Sequence, residues 1–245
     1  MTSWKTLRRI CLILLLIPIV HLVYLVSKDT AASLDSSPEV WANEIDAYVH
    51  ADRASHLPKH PIVVVGGRRV KLWTGLEDLL APQPVLMRGL GDAIVDDIVY
   101  NYERLIGYYR PDTVVFLPGN SEFHIRDNKS AEDLATGIRK LVELDDMHQI
   151  TRRFYIVTPL KTPLYPGDNE KVEEASGLLQ AWAATEPRVV ILDANALLCN
   201  ADGSPKANYY RADGVNLNEH GYLRLSTLLQ LAIEQDTVET PDTDA

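Results

Sequence analysis

Short, continuous β-branched runs recur between segments of helical periodicity, and nothing else in this chain restricts its fold as strongly. Ile62–Val65 is an unbroken apolar quartet, the pattern of a strand covered on both faces. Pro84–Met87, Thr113–Leu117, Phe154–Val157 and Val189–Leu192 repeat it further along. Helical stretches separate them. Val40–Ala54 carries Val40, Trp41, Ile45 and Val49 near helical spacing, and Asp92–Tyr109 carries Ile94, Val95, Ile98, Tyr102, Leu105 and Ile106 on one stripe. Ser130 with Asp133 three residues on resembles a capping box that opens another helix. Asn169–Ala184 and Asn218–Glu234 complete the series. This rhythm predicts an α/β domain with three layers, α/β/α, around a doubly wound, flavodoxin-like, five-stranded parallel sheet. Ligands of such sheets bind beyond the carboxyl ends of the strands, so the segments after Val65, Met87 and Leu117 matter most.

The other strong local signal lies at the start. Lys5, Arg8 and Arg9 precede an apolar run of 17 residues, Ile10–Val26. It is expected to be a retained transmembrane anchor, with the basic flank cytoplasmic and everything after Lys28 exported. A signal peptide cut near Thr30-Ala31-Ala32 is the rival reading. The expected organisation is therefore a basic flank and anchor over 1–27, a tether over 28–39, the folded domain over 40–234 and an acidic disordered tail over 235–245.

Composition narrows the functions. A formal charge of −10 leaves nothing to neutralise phosphates in bulk, so nucleic acid is not an expected partner. The two cysteines, Cys11 and Cys199, are split between the apolar run and the domain, so no disulfide within the domain is expected. No Cys/His cluster suggests a metal, and Pro58 between His56 and His60 makes that pair part of a loop. No cofactor is expected.

The first strand is followed by Gly66-Gly67-Arg68-Arg69-Val70-Lys71-Leu72-Trp73, which resembles the Gly-Ser-Ser-Ser-Ile-Arg-Leu-Trp stretch of a bacterial branch of the SGNH (GDSL) hydrolases. The neighbouring segments agree. Ala51-Asp52-Arg53-Ala54 with Pro58 resembles that branch's lead-in, and Arg88-Gly89-Leu90-Gly91 its second block. Pro118-Gly119-Asn120-Ser121-Glu122 resembles the third block, and Tyr210 to Asn218 with Gly221-Tyr222 the last. The resemblance spans Val40 to Leu231. It implies a bacterial protein, with the anchor in the inner membrane as a single pass and the domain in the periplasm.

The resemblance also implies a serine nucleophile after the first strand, a histidine base near the C-terminus, and an aspartate three residues before it. A glycine N–H and an asparagine side chain complete the oxyanion hole. Carried over residue by residue, the nucleophile position is Arg68 and the base position Asn216. A guanidinium stays protonated and a carboxamide accepts no proton near neutral pH, so neither can do its predecessor's work. The oxyanion glycine position is Asp92, or Gly91 if one residue is deleted, and the asparagine position is Ser121, or Asn120 by a similar shift. Only Asp213 is retained. Arg68 is expected to pair with Asp213, with Asp92 or Glu122 as further partners, because a desolvated arginine needs a counter-charge.

The expected function is thus an exported, membrane-anchored domain that is catalytically silent. It would bind an envelope saccharide, an acylated ligand or a protein partner through Gly67, Arg68, Gly91, Asn120, Glu122 and Tyr210. An active esterase, deacetylase or acyltransferase built on Ser121 and His124, with Glu122 or Asp213, is the alternative. A structural subunit of an envelope complex is the third. Trp73, Tyr209 and Tyr210 are read as packing before cleft lining, and His220 as exposed.

Overall fold

The computed structural model describes residues 4–34, 37–124, 128–148 and 151–239. Helix α1 (Trp4–Leu34) precedes the domain. A 3-10 turn, Pro38–Trp41, leads into α2 (Ala42–Arg53). The remaining elements follow in alternation: β1 (Ile62–Gly66), α3 (Arg68–Lys71), α4 (Leu76–Leu79), β2 (Val85–Gly89), α5 (Val95–Tyr100), α6 (Tyr102–Leu105), β3 (Thr113–Leu117), α7 (Ala131–His148), β4 (Arg153–Val157), α8 (Asn169–Ala183), β5 (Val189–Leu192), α9 (Asn195–Leu198) and α10 (Glu219–Glu239).

The five strands pair in the order β2-β1-β3-β4-β5, all parallel, as the alternating pattern predicts. β1 is buried at every residue. Its side chains alternate between two cores. Val63 and Val65 join Val114, Phe116, Phe154 and Ile156 against α5, α7 and α8. Ile62 and Val64 join Val115, Leu117, Tyr155 and Val157 against Trp73, Leu76 and the α10 residues Tyr222, Leu225 and Leu229. Helices therefore cover both faces, which is the three-layer arrangement.

The predicted capping box forms. The Ser130 N–H donates to Asp133 (3.0 Å) and the Asp133 N–H to the Ser130 hydroxyl (3.1 Å), so two N-terminal donors of α7 are satisfied reciprocally. The single helix predicted over 92–109 is instead broken at Asn101, whose side chain donates to the Asp97 carbonyl at 3.0 Å. Such local bonds compete with helix continuation. β2 runs past the predicted Met87 to include Arg88, because that guanidinium is sheltered. It pairs with Asp52 at 2.8 Å and lies 4.9 and 4.6 Å from the ring centroids of Tyr48 and Tyr109.

The expected anchor is corrected. Residues 4–34 are helical, yet among the described residues no helix is long and apolar enough to cross a membrane. The run of 17 apolar residues reaches about 25 Å, short of a hydrocarbon core of about 30 Å, and Pro18 and His21 interrupt it. The transmembrane anchor, membrane attachment and single-pass inner-membrane topology with a periplasmic domain fall together, since all rested on that span. α1 also continues through the segment expected to be a tether, to Leu34, and α10 continues past Glu234.

One buried charge ties α7 to the start of β4. Asp145 is fully buried and accepts from the Tyr102 hydroxyl (2.6 Å), the Thr151 hydroxyl (2.7 Å) and Arg188 (3.1 Å). Removing one member of a buried ionic network strands the rest without solvent. Asp145→Leu is expected to lower the free energy of unfolding by about 3 kcal/mol or more in urea titrations, with Asp145→Asn losing clearly less.

Candidate functional site

The strand order places β1 between β2 and β3, and the chain leaves both sides of this switch point at the carboxyl edge. Gly66 ends β1 at φ +153°, where an added Cβ would stand 2.3 Å from the Leu117 carbonyl oxygen. A Cβ on Gly67 would meet the Ala93 carbonyl oxygen at 2.8 Å. Both positions demand glycine because the turns after β1, β2 and β3 converge on them.

Arg68 opens α3 at this convergence. Its Nε donates to one carboxylate oxygen of Asp92 at 2.9 Å and a terminal nitrogen to the other at 2.7 Å, a bidentate pair. The hydrogen bonds it donates to Asp92 hold the Arg68 guanidinium above its ordinary value, against partial burial. With the Arg68 side chain 54% exposed, the pair is worth at most about 1 kcal/mol. Its consequence is occupancy: the side chain that follows Gly67 and the carboxylate that follows Gly91 are engaged with each other.

The other oxyanion candidate is also taken. The Gly91 N–H donates to Glu44 at 3.0 Å, and the same carboxylate oxygen accepts from Lys71 at 2.9 Å. At the last block, Asp213 accepts from the backbone N–H groups of Val215 (2.8 Å) and Asn216 (2.9 Å) and from the Asn216 side chain (2.8 Å). Desolvation pushes Asp213 up, but these hydrogen bonds outweigh it and the carboxyl lies below its ordinary range. Asp213 and Asn216 thus form a carboxylate–carboxamide pair at the last block. Asp213 does not bond to Arg68; the predicted first partner of Arg68 is replaced by Asp92.

The third block divides. Ser121 is buried, and no hydrogen bond joins it to His124 among the described residues. His124 pairs with Asp168 and lies 4.0 Å from the Tyr165 ring centroid. Of Asn120, only its place in the 3-10 turn Asn120–Glu122 is described. Glu122 is buried and turned inward: it accepts from the Val95 N–H at the start of α5 (2.7 Å) and from Lys129 (3.1 Å), which also pairs with Asp96. Burial pushes the Glu122 carboxyl up to about 7, with Lys129 opposing the shift.

Tyr210 and Trp73 are core residues. The Tyr210 hydroxyl donates to the Lys161 carbonyl at 2.5 Å, and burial raises that phenol to about 12. Trp73 stacks on Tyr222 and donates to Ser226 at 2.8 Å. Two residues that the motif reading passed over matter here. Glu44 lies on α2, ahead of the lead-in segment Ala51–Ala54, and no local pattern marks it. Arg69 is fully buried, donating to the carbonyls of Pro118 (3.3 Å) and Val215 (3.2 Å), while its own carbonyl accepts from Tyr222 (2.8 Å). It ties the third block to the last. A second arginine beside Arg68 was the available signal. Among the described residues no group of three His, Cys, Asp or Glu side chains is placed to hold a metal.

No family model matches the sequence, and no curated protein matches it. Solved structures do. A Streptococcus pneumonia protein provisionally described as a platelet activating factor superposes with a TM-score of 0.69 at 16% identity, covering 87% of this chain and 99% of that one. A Bacteroides fragilis protein provisionally described as an acylhydrolase gives 0.67 at 18% identity, over 78% and 97%. A GDSL-like lipase from Bacteroides thetaiotaomicron gives 0.65 at 16%, over 78% and 98%. The chain has a GDSL/SGNH-hydrolase-like fold, and at these identities the likeness is one of fold.

Glu122 supplies a pH test. A carboxyl whose folded pKa is raised contributes stability that is complete below its unfolded value of 4.5 and lost as pH rises through about 7. Urea titrations of wild type and Glu122→Gln are expected to diverge with pH. Relative to the variant, wild type loses roughly 1–3 kcal/mol between pH 4.5 and pH 8.

Proposed function

We propose that this SGNH-like domain binds a ligand at the carboxyl edge of its sheet without hydrolysing it. The observation that carries the reading is the bidentate Arg68–Asp92 pair at the positions of nucleophile and oxyanion donor. An anionic carboxylate there repels a developing oxyanion, and a guanidinium cannot attack a carbonyl. The Asp213–Asn216 pair supports the same conclusion, since a carboxamide cannot take up the nucleophile's proton.

The groups offered at the surface are a neutralised ion pair and an aspartate–amide pair. They present paired donors and acceptors without a large unbalanced charge, which suits a neutral polyhydroxyl ligand, a saccharide, better than a free anion. The described solved structures named for lipase or acylhydrolase activity favour an acylated saccharide as a variant of that class. A hydrolase built on His124 is the second reading, favoured by the carboxylate partner that Asp168 gives this histidine. The burial of Ser121 weighs against it.

Two measurements decide between them. Wild type is expected to turn over p-nitrophenyl acetate no faster than the solvent background, while neutral oligosaccharides raise its Tm in a concentration-dependent way. Turnover abolished by His124→Ala would instead establish the hydrolase. Restoring Ser at 68, Gly at 92 and His at 216 together (R68S, D92G, N216H) is expected to raise esterase activity at least tenfold above wild type. Restoring 68 and 216 alone should give much less, because Asp92 would still face the oxyanion.

A further inference from the structure

The amino ends of the strands, opposite the site above, enclose a cleft of about 610 Å³. Its volume falls in the range of small-molecule sites, and β1, β3 and β4 enter it through Ile62, Thr113 and Arg153. α10 contributes Ile233 and Asp236 from its last turns. No residue of the resembling blocks lines it.

One cation lining this cleft has no carboxylate partner among the described residues. His60 pairs with Asp112 at 3.0 Å, and Arg153 pairs with Asp236 at 2.9 Å, while the Tyr155 hydroxyl also donates to Asp236. Arg152 remains. It lines the cleft, its side chain is exposed, and among the described residues no carboxylate pairs with it. Its backbone N–H donates to the Asp112 carbonyl at 2.9 Å, which fixes the main chain of this residue at the cleft. Beside it the wall is apolar, formed by Ile62, Pro84 and Ile233.

His60 adds an independent sign. It holds φ at +51°, in the left-handed region that a residue with a Cβ enters at a cost of about 1 kcal/mol or more. That conformation turns the imidazole back onto Asp112 at the cleft rim. Retained strain of this kind concentrates at ligand clamps.

We propose that this cleft is a second binding site, for a small monocarboxylate with an apolar body. A carboxylate matches the fork of Arg152, and the apolar wall accepts the hydrocarbon portion. A dianion such as phosphate is disfavoured, because Asp112 and Asp236 stand beside the one unpaired cation. The site is independent of the carboxyl-edge site in both position and chemistry.

Octanoate is the probe, with octanol as its uncharged counterpart, and isothermal titration of the full chain at neutral pH is the measurement. Octanoate is expected to bind, and octanol at least tenfold more weakly. Arg152→Gln should weaken octanoate at least tenfold at unchanged Tm, Arg152→Lys should recover part of the loss, and Arg68→Ala should leave it unaltered. The proposal is overturned if octanoate does not bind at millimolar concentration, if octanol binds equally well, if Arg152→Gln binds like wild type, or if Arg68→Ala abolishes binding.

Discussion

Because β1 is hydrogen-bonded to β2 on one side and β3 on the other, and packed on both faces, its residues must be apolar throughout and its exit must be glycine. Most of the site follows from that confinement. The chain can leave the sheet only past the Leu117 carbonyl and the Ala93 carbonyl, which no Cβ could clear, so the turns after three strands are drawn to one point. Whatever side chain follows Gly67 is then presented at the convergence. That residue is Arg68.

Arg68 is half exposed, and Asp92 beside it accepts both arms of the guanidinium fork. Neighbouring groups close the remaining vacancies. Glu44 takes the Gly91 N–H, and Asn216 satisfies Asp213. Arg69, buried beneath, ties the third block to the last through the carbonyls of Pro118 and Val215.

The two ends of the sheet differ in how their charges are disposed. At the carboxyl edge Arg68 is matched by Asp92 and Lys71 by Glu44. At the amino edge the Arg153–Asp236 ion pair and the His60–Asp112 hydrogen bond leave Arg152 without a carboxylate partner among the described residues, in a cleft with an apolar wall. A sheet of this kind offers both edges, but only the carboxyl edge is shaped by the switch point. The amino-edge cleft is instead shaped by the last turns of α10 lying across the strand starts.

The sequence alone determined the strands, their parallel sense and the three layers, because a run such as Ile62–Val65 has no solvent-facing alternative and a strand–helix alternation has one favoured hand. It also determined that position 68 carries a permanent cation and position 216 a carboxamide, since side-chain chemistry does not depend on fold. Tertiary structure decided what periodicity cannot express. It broke the helix at Asn101 and carried β2 through Arg88 under two tyrosine rings. It chose Asp92 over Asp213 for Arg68 and brought Glu44 to Gly91, because pairing follows distance in space and these residues are separated along the chain. Local pattern records which face a residue turns to the core; only the packed chain fixes which charge it meets there.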